Sequence, residues 1–393
     1  MKLFKKVLAT SLVLTLIAAS LSACGTKGNE PNKGSEGGNG TTTEAPKDTT
    51  PEATPDANTS EAGKFELALI TDVGTIDDKS FNQGSWEGVE QYAKEFNKTY
   101  KYYKPTEKSD DAYLQSIDLA VKAGAKVIVC PGYLFEVPIF TAQTKYPEVQ
   151  FIILDGSPHA GDYNVVVEDN THAIFYAEEE AGFLAGYAIV KEGYTKLGFM
   201  GGIAVPAVVR YGYGFIQGAN AAAEELGLAS DAIQVKYTYV GNFDATPENQ
   251  AKAASWFNGG TEVIFACGGA VGNSVMKAAE AANTKVIGVD VDQSSESKTV
   301  ITSSMKNLSK SVYDALTAYY ANSFPGGTVA TLDATVEAVQ LPMDTSTFAK
   351  FTKADYDAIY AKIVNKEFKI VKDTDVADAS AVPGDKVAVE LIK

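Results

Sequence analysis

From residue 64 onward, short apolar runs alternate with longer segments whose apolar residues recur at helical spacing. This alternation is typical of parallel sheets with helices on both faces. Strands are predicted at residues 65–70, 126–130, 151–154, 165–167, 196–200, 234–239, 262–266, 285–289 and 300–301. Helices are predicted at residues 80–97, 111–123, 172–191, 214–226, 247–258 and 273–282. The order predicts an α/β protein in which a βαβαβ arrangement occurs twice.

A weak internal repeat indicates two similar lobes. Residues 123–132 (AGAKVIVCPG) resemble residues 259–269 (GGTEVIFACGG), and each is followed by a strand that ends in an aspartate, Asp155 or Asp290. Ligands of open parallel sheets bind beyond the carboxyl ends of the strands. Two lobes that face one another would therefore enclose a cleft with an aspartate on each side.

Each of the two lobes is predicted to contain two segments of the chain. An N-terminal lobe is predicted at residues 64–170 and 298–322. A C-terminal lobe is predicted at residues 171–297 and 323–393. The chain would then pass from one lobe to the other more than once.

Residues 1–23 have the layout of a secretory signal peptide, with lysines followed by an apolar run from Val7 to Ala19. The stretch ends in Leu21-Ser22-Ala23-Cys24, which resembles the lipobox of bacterial lipoproteins. Cys24 is therefore the predicted lipidation site. The segment could instead be an ordinary signal peptide or a short membrane anchor.

Residues 24–63 are predicted to form a disordered tether. Between Gly25 and Ala62 the sequence contains no Val, Ile, Leu, Met, Phe, Tyr or Trp, so this segment has nothing with which to form a core. A flexible chain of this length reaches roughly 30 to 35 Å on average. We expect an extracytoplasmic protein that is held at the cell membrane by a lipid anchor.

Composition and charge exclude several classes of function. With 45% hydrophobic residues, a mainly disordered protein is excluded. A net charge of −16 and a single arginine, Arg210, argue against a nucleic-acid partner. Three cysteines and two histidines lack metal-site spacing, so no metal and no cofactor are expected. Cys130 and Cys267 end apolar strands and are expected to be buried thiols.

A ring, an amide and a carboxylate are predicted to meet at the first strand end. Asp72 follows that strand, and Phe81 and Asn82 begin the next helix, for which Ser80 and Gln83 fit a capping box. A ring for stacking and polar groups at its edge suit a planar heterocycle that carries hydroxyls. Phe81 could instead be a buried staple of the helix.

The remaining candidate residues also have simple structural interpretations. Asp155 and Asp290 are either ligand groups or caps of the following loops. Lys306 either bonds a ligand hydroxyl, pairs with Asp290 or is a solvated surface lysine. Gly269 either lets backbone approach a ligand or forms an ordinary turn.

Several segments resemble one family of proteins. The segment ALITDVGTIDDKSFNQGSWEG at residues 68–88 is similar to the opening signature of the basic membrane protein family, the purine-nucleoside receptor lipoproteins of bacterial ABC importers. The resemblance covers nearly all of residues 64–393. Further matches follow in order: EEAGFLAGYA (179–188), VGNFDATPENQAKAASWFNGGTEVIFACGG (240–269), VIGVDVDQ (286–293) and TSSMKN (302–307).

The resemblance implies a fold and a ligand. The fold is a two-lobed periplasmic-binding-protein fold of the first type with three hinge crossings, and the ligand is a purine nucleoside such as guanosine, adenosine or inosine. The base would lie between Phe81 and Phe243, with Tyr211, Tyr213 and Phe215 as further candidates for the second ring. Its polar edges would face Asp72, Asn82 and Asp155, and the ribose would meet Asp290, Lys306 and backbone near Gly269.

Rival functions remain open at this point. Residues 72–78 lack the D-x-D-x-x-x-D-D pattern of the metal-dependent nucleoside hydrolases, and no common catalytic motif is present, so the chain is not expected to be an enzyme. The ligand could instead be a sugar or a signalling molecule, and the protein could be a surface antigen displayed on its tether. We expect a monomer whose protein partner is an ABC permease.

Overall fold

The computed structural model describes residues 64–393. The predicted signal peptide, the lipobox with Cys24 and the tether lie outside the described residues. Within the described part, no helix is both long enough and apolar enough to span a bilayer.

Two sheets form the framework. The strands are β1 (Leu67–Ile70), β2 (Tyr100–Tyr103), β3 (Val127–Pro131), β4 (Gln150–Leu154), β5 (Thr171–Tyr176), β6 (Lys196–Gly201), β7 (Ile233–Tyr239), β8 (Val263–Cys267), β9 (Lys285–Asp290), β10 (Val300–Lys306), β11 (Thr328–Leu332), β12 (Val339–Gln340) and β13 (Val387–Leu391). The first sheet has the order β11-β5-β4-β3-β1-β2, and the second has the order β12-β10-β9-β8-β6-β7-β13. All pairings are parallel except that of β12 with β10.

Helices cover both faces of each sheet. They are α1 (Phe81–Glu95), α2 (Asp110–Lys122), α3 (Glu136–Lys145), α4 (Glu178–Glu192), α5 (Pro206–Glu225), α6 (Pro247–Asn258), α7 (Val271–Ala282), α8 (Leu308–Tyr320) and α9 (Lys353–Val364). Strand β1 shows why: Leu67 and Leu69 join one apolar cluster, while Ala68 and Ile70 join another on the opposite face. Strands buried on both faces read as continuous apolar runs, which is the pattern found in the sequence.

The chain crosses between the sheets three times. The crossings follow β5 near Ala177, β10 near Asn307 and β11 at residues 333–338. The first lobe therefore combines α1, α2, α3 and α8 with the first sheet, and the remaining helices belong with the second. This arrangement has the two lobes that the sequence predicted and the three hinge crossings that the family resemblance implied.

The sheet order moves the lobe boundaries that the sequence suggested. Residues 171–176 were assigned to the second lobe, with a helix predicted from residue 172. They form strand β5 of the first sheet, because they pair with β4 and β11. Strand β10 lies in the second sheet and β11 in the first, the reverse of the predicted assignment. Residues 165–167 are not a strand; Val165 makes only an isolated bridge to His159.

Helices α4 and α5 pack with their backbones in contact. Glycines on both helices make this approach possible: a Cβ atom at Gly218 would lie 1.9 Å from the carbonyl oxygen of Phe183, and one at Gly186 would lie 2.0 Å from that of Phe215. The first residue of α4, Glu178, is thereby held close to Arg210 near the start of α5.

Candidate functional site

A cavity of about 430 Å³ lies between the lobes, at the carboxyl ends of the strands. It is lined by residues from both lobes. All eight residues proposed from the sequence line it: Asp72, Phe81, Asn82, Asp155, Phe243, Gly269, Asp290 and Lys306. Lys104 and Tyr133 are among the further lining residues that were not predicted. Lys104 follows strand β2 and Tyr133 lies just beyond strand β3. They too are therefore at the carboxyl ends of parallel strands, where ligands of such sheets bind.

Each lobe presents a phenylalanine ring to the cavity. Phe81 and Phe243 are half-buried and line the cavity. The further candidates for the second ring, Tyr211, Tyr213 and Phe215, are buried in the core and are not among the described residues that line the cavity. Phe243 is therefore the phenylalanine that the second lobe presents to the cavity.

Asn82 holds two aspartates at the first-lobe wall. Its amide nitrogen donates to Asp72 Oδ1 at 2.9 Å and to Asp78 Oδ2 at 2.8 Å, and its Oδ1 accepts the Asp72 backbone N–H at 3.2 Å. Burial raises the pKa of Asp72 and raises that of Asp78 to about 6. The Asn82 amide is thus occupied by its neighbours, and its main effect is to orient the Asp72 carboxylate.

Asp78, and not Ser80, caps helix α1. The Asp78 carboxylate accepts the backbone N–H groups of Ser80, Asn82 and Gln83 at 2.9 to 3.1 Å. The predicted capping box is wrong, because the Ser80 hydroxyl donates to Asp290 Oδ2 at 2.5 Å. This bond joins the first lobe to the second at the edge of the cavity.

Asp155 and Asp290 occupy matching places in the two lobes. Asp155 follows β4 and Asp290 ends β9, and both have left-handed backbone, with φ of 53° and 67°. Aspartate adopts this region at some cost in conformational energy, and such residues concentrate at functional sites. Both carboxylates approach the same ammonium group, that of Lys306.

Lys306 is a buried cation and not a surface lysine. Its side chain is 2% exposed; its Nζ donates to Asp155 Oδ2, lies 3.5 Å from Glu178 Oε1 and lies 3.6 Å from Asp290 Oδ1. The ammonium is also 4.5 Å from the centroid of the Phe81 ring. Burial disfavours the charge, but the three carboxylates outweigh it and raise the pKa of Lys306. The lysine is charged and sits within reach of a ligand in the cavity.

Glu178 is a member of this cluster that was not predicted from the sequence. It is fully buried, and its Oε2 accepts from Arg210 Nε at 2.7 Å. Burial opposes its charge, yet Arg210 and Lys306 together lower the pKa of Glu178. Arg210 also lies 3.4 Å from Asp373, in the C-terminal segment of the second lobe. The signal in the sequence was that Arg210 is the single arginine of the chain.

Asp155 differs from the other carboxylates of the cluster. Burial raises its pKa to about 7, although Lys306 opposes the shift. Its Oδ1 is buried and has no hydrogen-bond partner within the described chain. A donor group on a ligand would satisfy this oxygen.

A family model for the Bmp proteins, described as PnrA-like ABC transporter substrate-binding proteins, matches residues 65–374. The chain belongs to this family. The Bmp-family protein is 29% identical over 327 residues to the ABC transporter nucleoside-binding protein BmpA of Lactococcus lactis, an alignment that covers 76% of this chain and 88% of the relative. It is 28% identical over 313 residues to basic membrane protein A of Borreliella afzelii, which covers 78% of this chain and 91% of that relative.

Solved structures support the fold of the Bmp-family protein. A solute-binding protein of an ABC transporter system from Aeropyrum pernix has a TM-score of 0.68 and 20% identity, and the match covers 79% of this chain and 94% of that one. A second such protein, from Conexibacter woesei, has a TM-score of 0.62 and 20% identity, with 78% and 98% covered. The predicted two-lobed binding-protein fold is therefore confirmed. The Bmp-family protein is a substrate-binding protein of an ABC transporter.

Proposed function

We propose that this Bmp-family protein captures a purine nucleoside in the cavity between its lobes and delivers it to the permease of an ABC importer. The observation that carries the proposal is that one cavity presents both an aromatic ring from each lobe and a buried cluster of carboxylates around Lys306. Its volume of about 430 Å³ lies in the range of small-molecule sites. The name of the Lactococcus lactis relative, a nucleoside-binding protein, supports the same ligand class.

The two halves of a nucleoside would meet different walls. The base lies between Phe81 and Phe243, since aromatic faces stabilise a stacked heterocycle. Asp72, oriented by Asn82, accepts a hydrogen bond from the edge of the base. Asp290, Lys306 and the backbone at Gly269 bond the ribose. Asp155 also faces the base and offers its unpartnered Oδ1 to a ligand donor.

The charge of the cavity favours a neutral ligand. Six aspartates and two lysines are among the residues that line it: Asp72, Asp77, Asp78, Asp155, Asp244, Asp290, Lys104 and Lys306. A phosphate group would bring further negative charge next to these carboxylates, which is unfavourable at short range. We therefore propose nucleosides, and not nucleotides, as ligands.

Closure of the lobes is the proposed capture step. A ligand that touches both lobes favours the state in which both walls reach it, so the closed form gains affinity. Bonds that already join the lobes next to the cavity, Ser80 to Asp290 and Gln293 to the Lys79 carbonyl, would align the walls during closure. The permease would then recognise the closed form.

We also propose that the protein is an extracytoplasmic monomer, lipidated at Cys24 and held at the membrane by its tether. Metabolic labelling with a fatty acid tests the anchor. Label is expected on the wild-type chain, and its presence on a Cys24→Ala variant would contradict the assignment.

Calorimetric titration with guanosine, adenosine, inosine, uridine and ribose tests the ligand class. Binding of purine nucleosides at micromolar or lower concentration, without binding of ribose, is expected. Chromatography of the mixtures after incubation distinguishes an enzyme, because a hydrolase releases the free base. Binding of ribose alone would point to a sugar ligand, and binding of none would favour display on the cell surface.

Replacing Phe81 by alanine is expected to weaken nucleoside binding by about 1 to 3 kcal/mol, because a stacking face is lost. Titration of Phe81→Ala with inosine measures the loss. The control is Phe96→Ala, which removes a 46% exposed ring just beyond the same helix and away from the cavity lining. An unchanged dissociation constant for Phe81→Ala would remove this ring from the site.

Nucleoside affinity is expected to increase with pH up to about 7. Asp155 has a pKa of about 7 in the free protein, and a ligand N–H or O–H that donates to its carboxylate binds the deprotonated form. Below pH 7 the ligand must displace a proton, so affinity falls by up to about 10-fold for each pH unit. Titrations of inosine at pH 5.5, 6.5 and 8 measure the slope.

Asp155→Asn is the control for this dependence. Asp78, whose pKa is about 6, also titrates in this range, and it remains in the variant. The slope between pH 6.5 and 8 is expected to disappear in Asp155→Asn. The same slope in both proteins would show that Asp155 does not carry the proton.

A further inference from the structure

Two residues of the buried charge cluster lie behind the cavity and not on its wall. Neither Arg210 nor Glu178 is among the described residues that line the cavity. Both nevertheless belong to one chain of contacts that ends at the ligand site, since Glu178 contacts Arg210 through Oε2 and Lys306 through Oε1. Each oxygen of the Glu178 carboxylate is thus assigned to a different cation.

We infer that Arg210 and Glu178 are positioning residues, which fix the place of the Lys306 ammonium and thereby the affinity for the sugar of a bound nucleoside. The inference rests on the proposed nucleoside function. Beyond that function, affinity for the sugar would depend on Arg210 and Glu178, which do not line the cavity.

The balance of charges explains how Arg210 acts on Lys306. With Arg210 present, two cations face three buried carboxylates, those of Asp155, Glu178 and Asp290. If the guanidinium is removed, Glu178 is left with Lys306 as its one close cation among these groups. A buried carboxylate strongly favours an ion-pair partner, so the ammonium moves toward Glu178 and away from Asp155 and Asp290. The wall that would meet the ribose is then altered.

The packing of α4 on α5 makes this link rigid. A Cβ atom at Gly182 would lie 2.1 Å from the carbonyl oxygen of Tyr211, the residue that follows Arg210. The two backbones are therefore in contact one turn from the ion pair. A closely packed protein interior does not deform freely. Neither Glu178 nor Arg210 can therefore move far to compensate for loss of the other.

Titrations with inosine and with its free base, hypoxanthine, test the inference. Arg210→Gln is expected to weaken inosine binding by about 10-fold and to change hypoxanthine binding much less, because Lys306 faces the sugar. Arg210→Lys keeps the positive charge and is expected to bind inosine more tightly than Arg210→Gln. The matched control is Lys191→Gln, which breaks a different α4–α5 ion pair, with Glu225 at 2.9 Å, and is expected to change neither ligand.

A general loss of structure would affect both ligands equally, so equal losses in Arg210→Gln overturn the inference, as does an unchanged affinity for inosine. The double variant Arg210→Gln with Glu178→Gln leaves the net charge of the cluster unaltered and serves where the single variant does not fold. In it Lys306 keeps Asp155 and Asp290 but loses the Glu178 carboxylate that holds it, so a selective loss of inosine affinity smaller than that of Arg210→Gln is expected. Wild-type affinity for inosine in this variant also overturns the inference. Failure of the wild-type protein to bind guanosine, adenosine and inosine would instead overturn the proposed function.

Discussion

Lys306→Met is expected to destabilise the protein by about 3 to 5 kcal/mol at pH 8 and to abolish nucleoside binding. Among the described residues, Lys306 is the one cation in contact with Asp155, Glu178 and Asp290 together. Methionine fills a similar volume but leaves these carboxylates in a buried setting with only Arg210 nearby. Loss of the ammonium also removes the donor that would meet the ribose.

The destabilisation of Lys306→Met is expected to be smaller at pH 5 than at pH 8. Unpaired buried carboxylates have pKa values above those of the unfolded chain, so the folded state binds protons more tightly. Such groups stabilise the fold at low pH, and this stabilisation is lost as the pH rises through their folded pKa. Urea unfolding at the two pH values measures the difference between variant and wild type.

Lys310→Met is the control for this experiment. Lys310 is exposed on helix α8 and pairs only with Asp314, so its replacement is expected to change the free energy of unfolding by less than about 1 kcal/mol. Equal stability of Lys306→Met and the wild type at pH 8 would contradict the buried, charged state assigned to Lys306.

Gly218→Ala is expected to lower the free energy of unfolding by about 3 kcal/mol or more. The new methyl group would lie 1.9 Å from the Phe183 carbonyl oxygen, which is backbone and has no rotamer through which to move away. Helices α4 and α5 would have to separate, and overpacking of a dense interior costs more than the roughly 1 kcal/mol that alanine gains over glycine in a helix.

Gly272→Ala supplies the matched comparison. It lies within helix α7, and a Cβ atom there would meet nothing closer than 3.8 Å, so the variant is expected to be as stable as the wild type or slightly more stable. Thermal unfolding of the two variants separates the effects of helix propensity and contact. A Gly218→Ala protein as stable as Gly272→Ala would contradict the close packing of α4 and α5.

Most central strands of the two sheets, with the exception of β5, were predictable because they are buried on two faces. Their apolar runs stand out, as in Val127–Pro131 and Val263–Cys267. The edge strands were missed for the opposite reason: β2, with the sequence YKYY, and β11, which is mostly exposed, carry no continuous apolar run. Edge positions place little demand on composition, so pairing partners decide whether such segments become strands.

One error of interpretation had several consequences. Residues 172–191 read as a single helix, because the apolar pattern of β5 runs into that of α4 without a glycine or proline. The crossing at Ala177 was therefore hidden, and with it Glu178, the first residue of α4. The matched strand ends, in contrast, placed Asp155 and Asp290 on one cavity, since this inference needs only the order of strands.

Burial of charged residues was the part of the site that the sequence did not reveal. A lysine such as Lys306 is usually solvated, and only the three carboxylates gathered from separate segments explain its 2% exposure. Asp155 and Glu178 precede Lys306 by 151 and 128 residues in the chain. Local sequence patterns do not predict contacts between residues so far apart in the chain.

The three crossings also determine when each half of the molecule can mature after synthesis. Strand β11, residues 328–332, completes the first sheet, while β13, residues 387–391, forms the last edge of the second. Neither half can reach its final pairing until most of the polypeptide has emerged. Contacts of such long sequence separation form slowly, so nascent chains would expose apolar surface for an extended period. They would depend on chaperones to prevent aggregation before they fold.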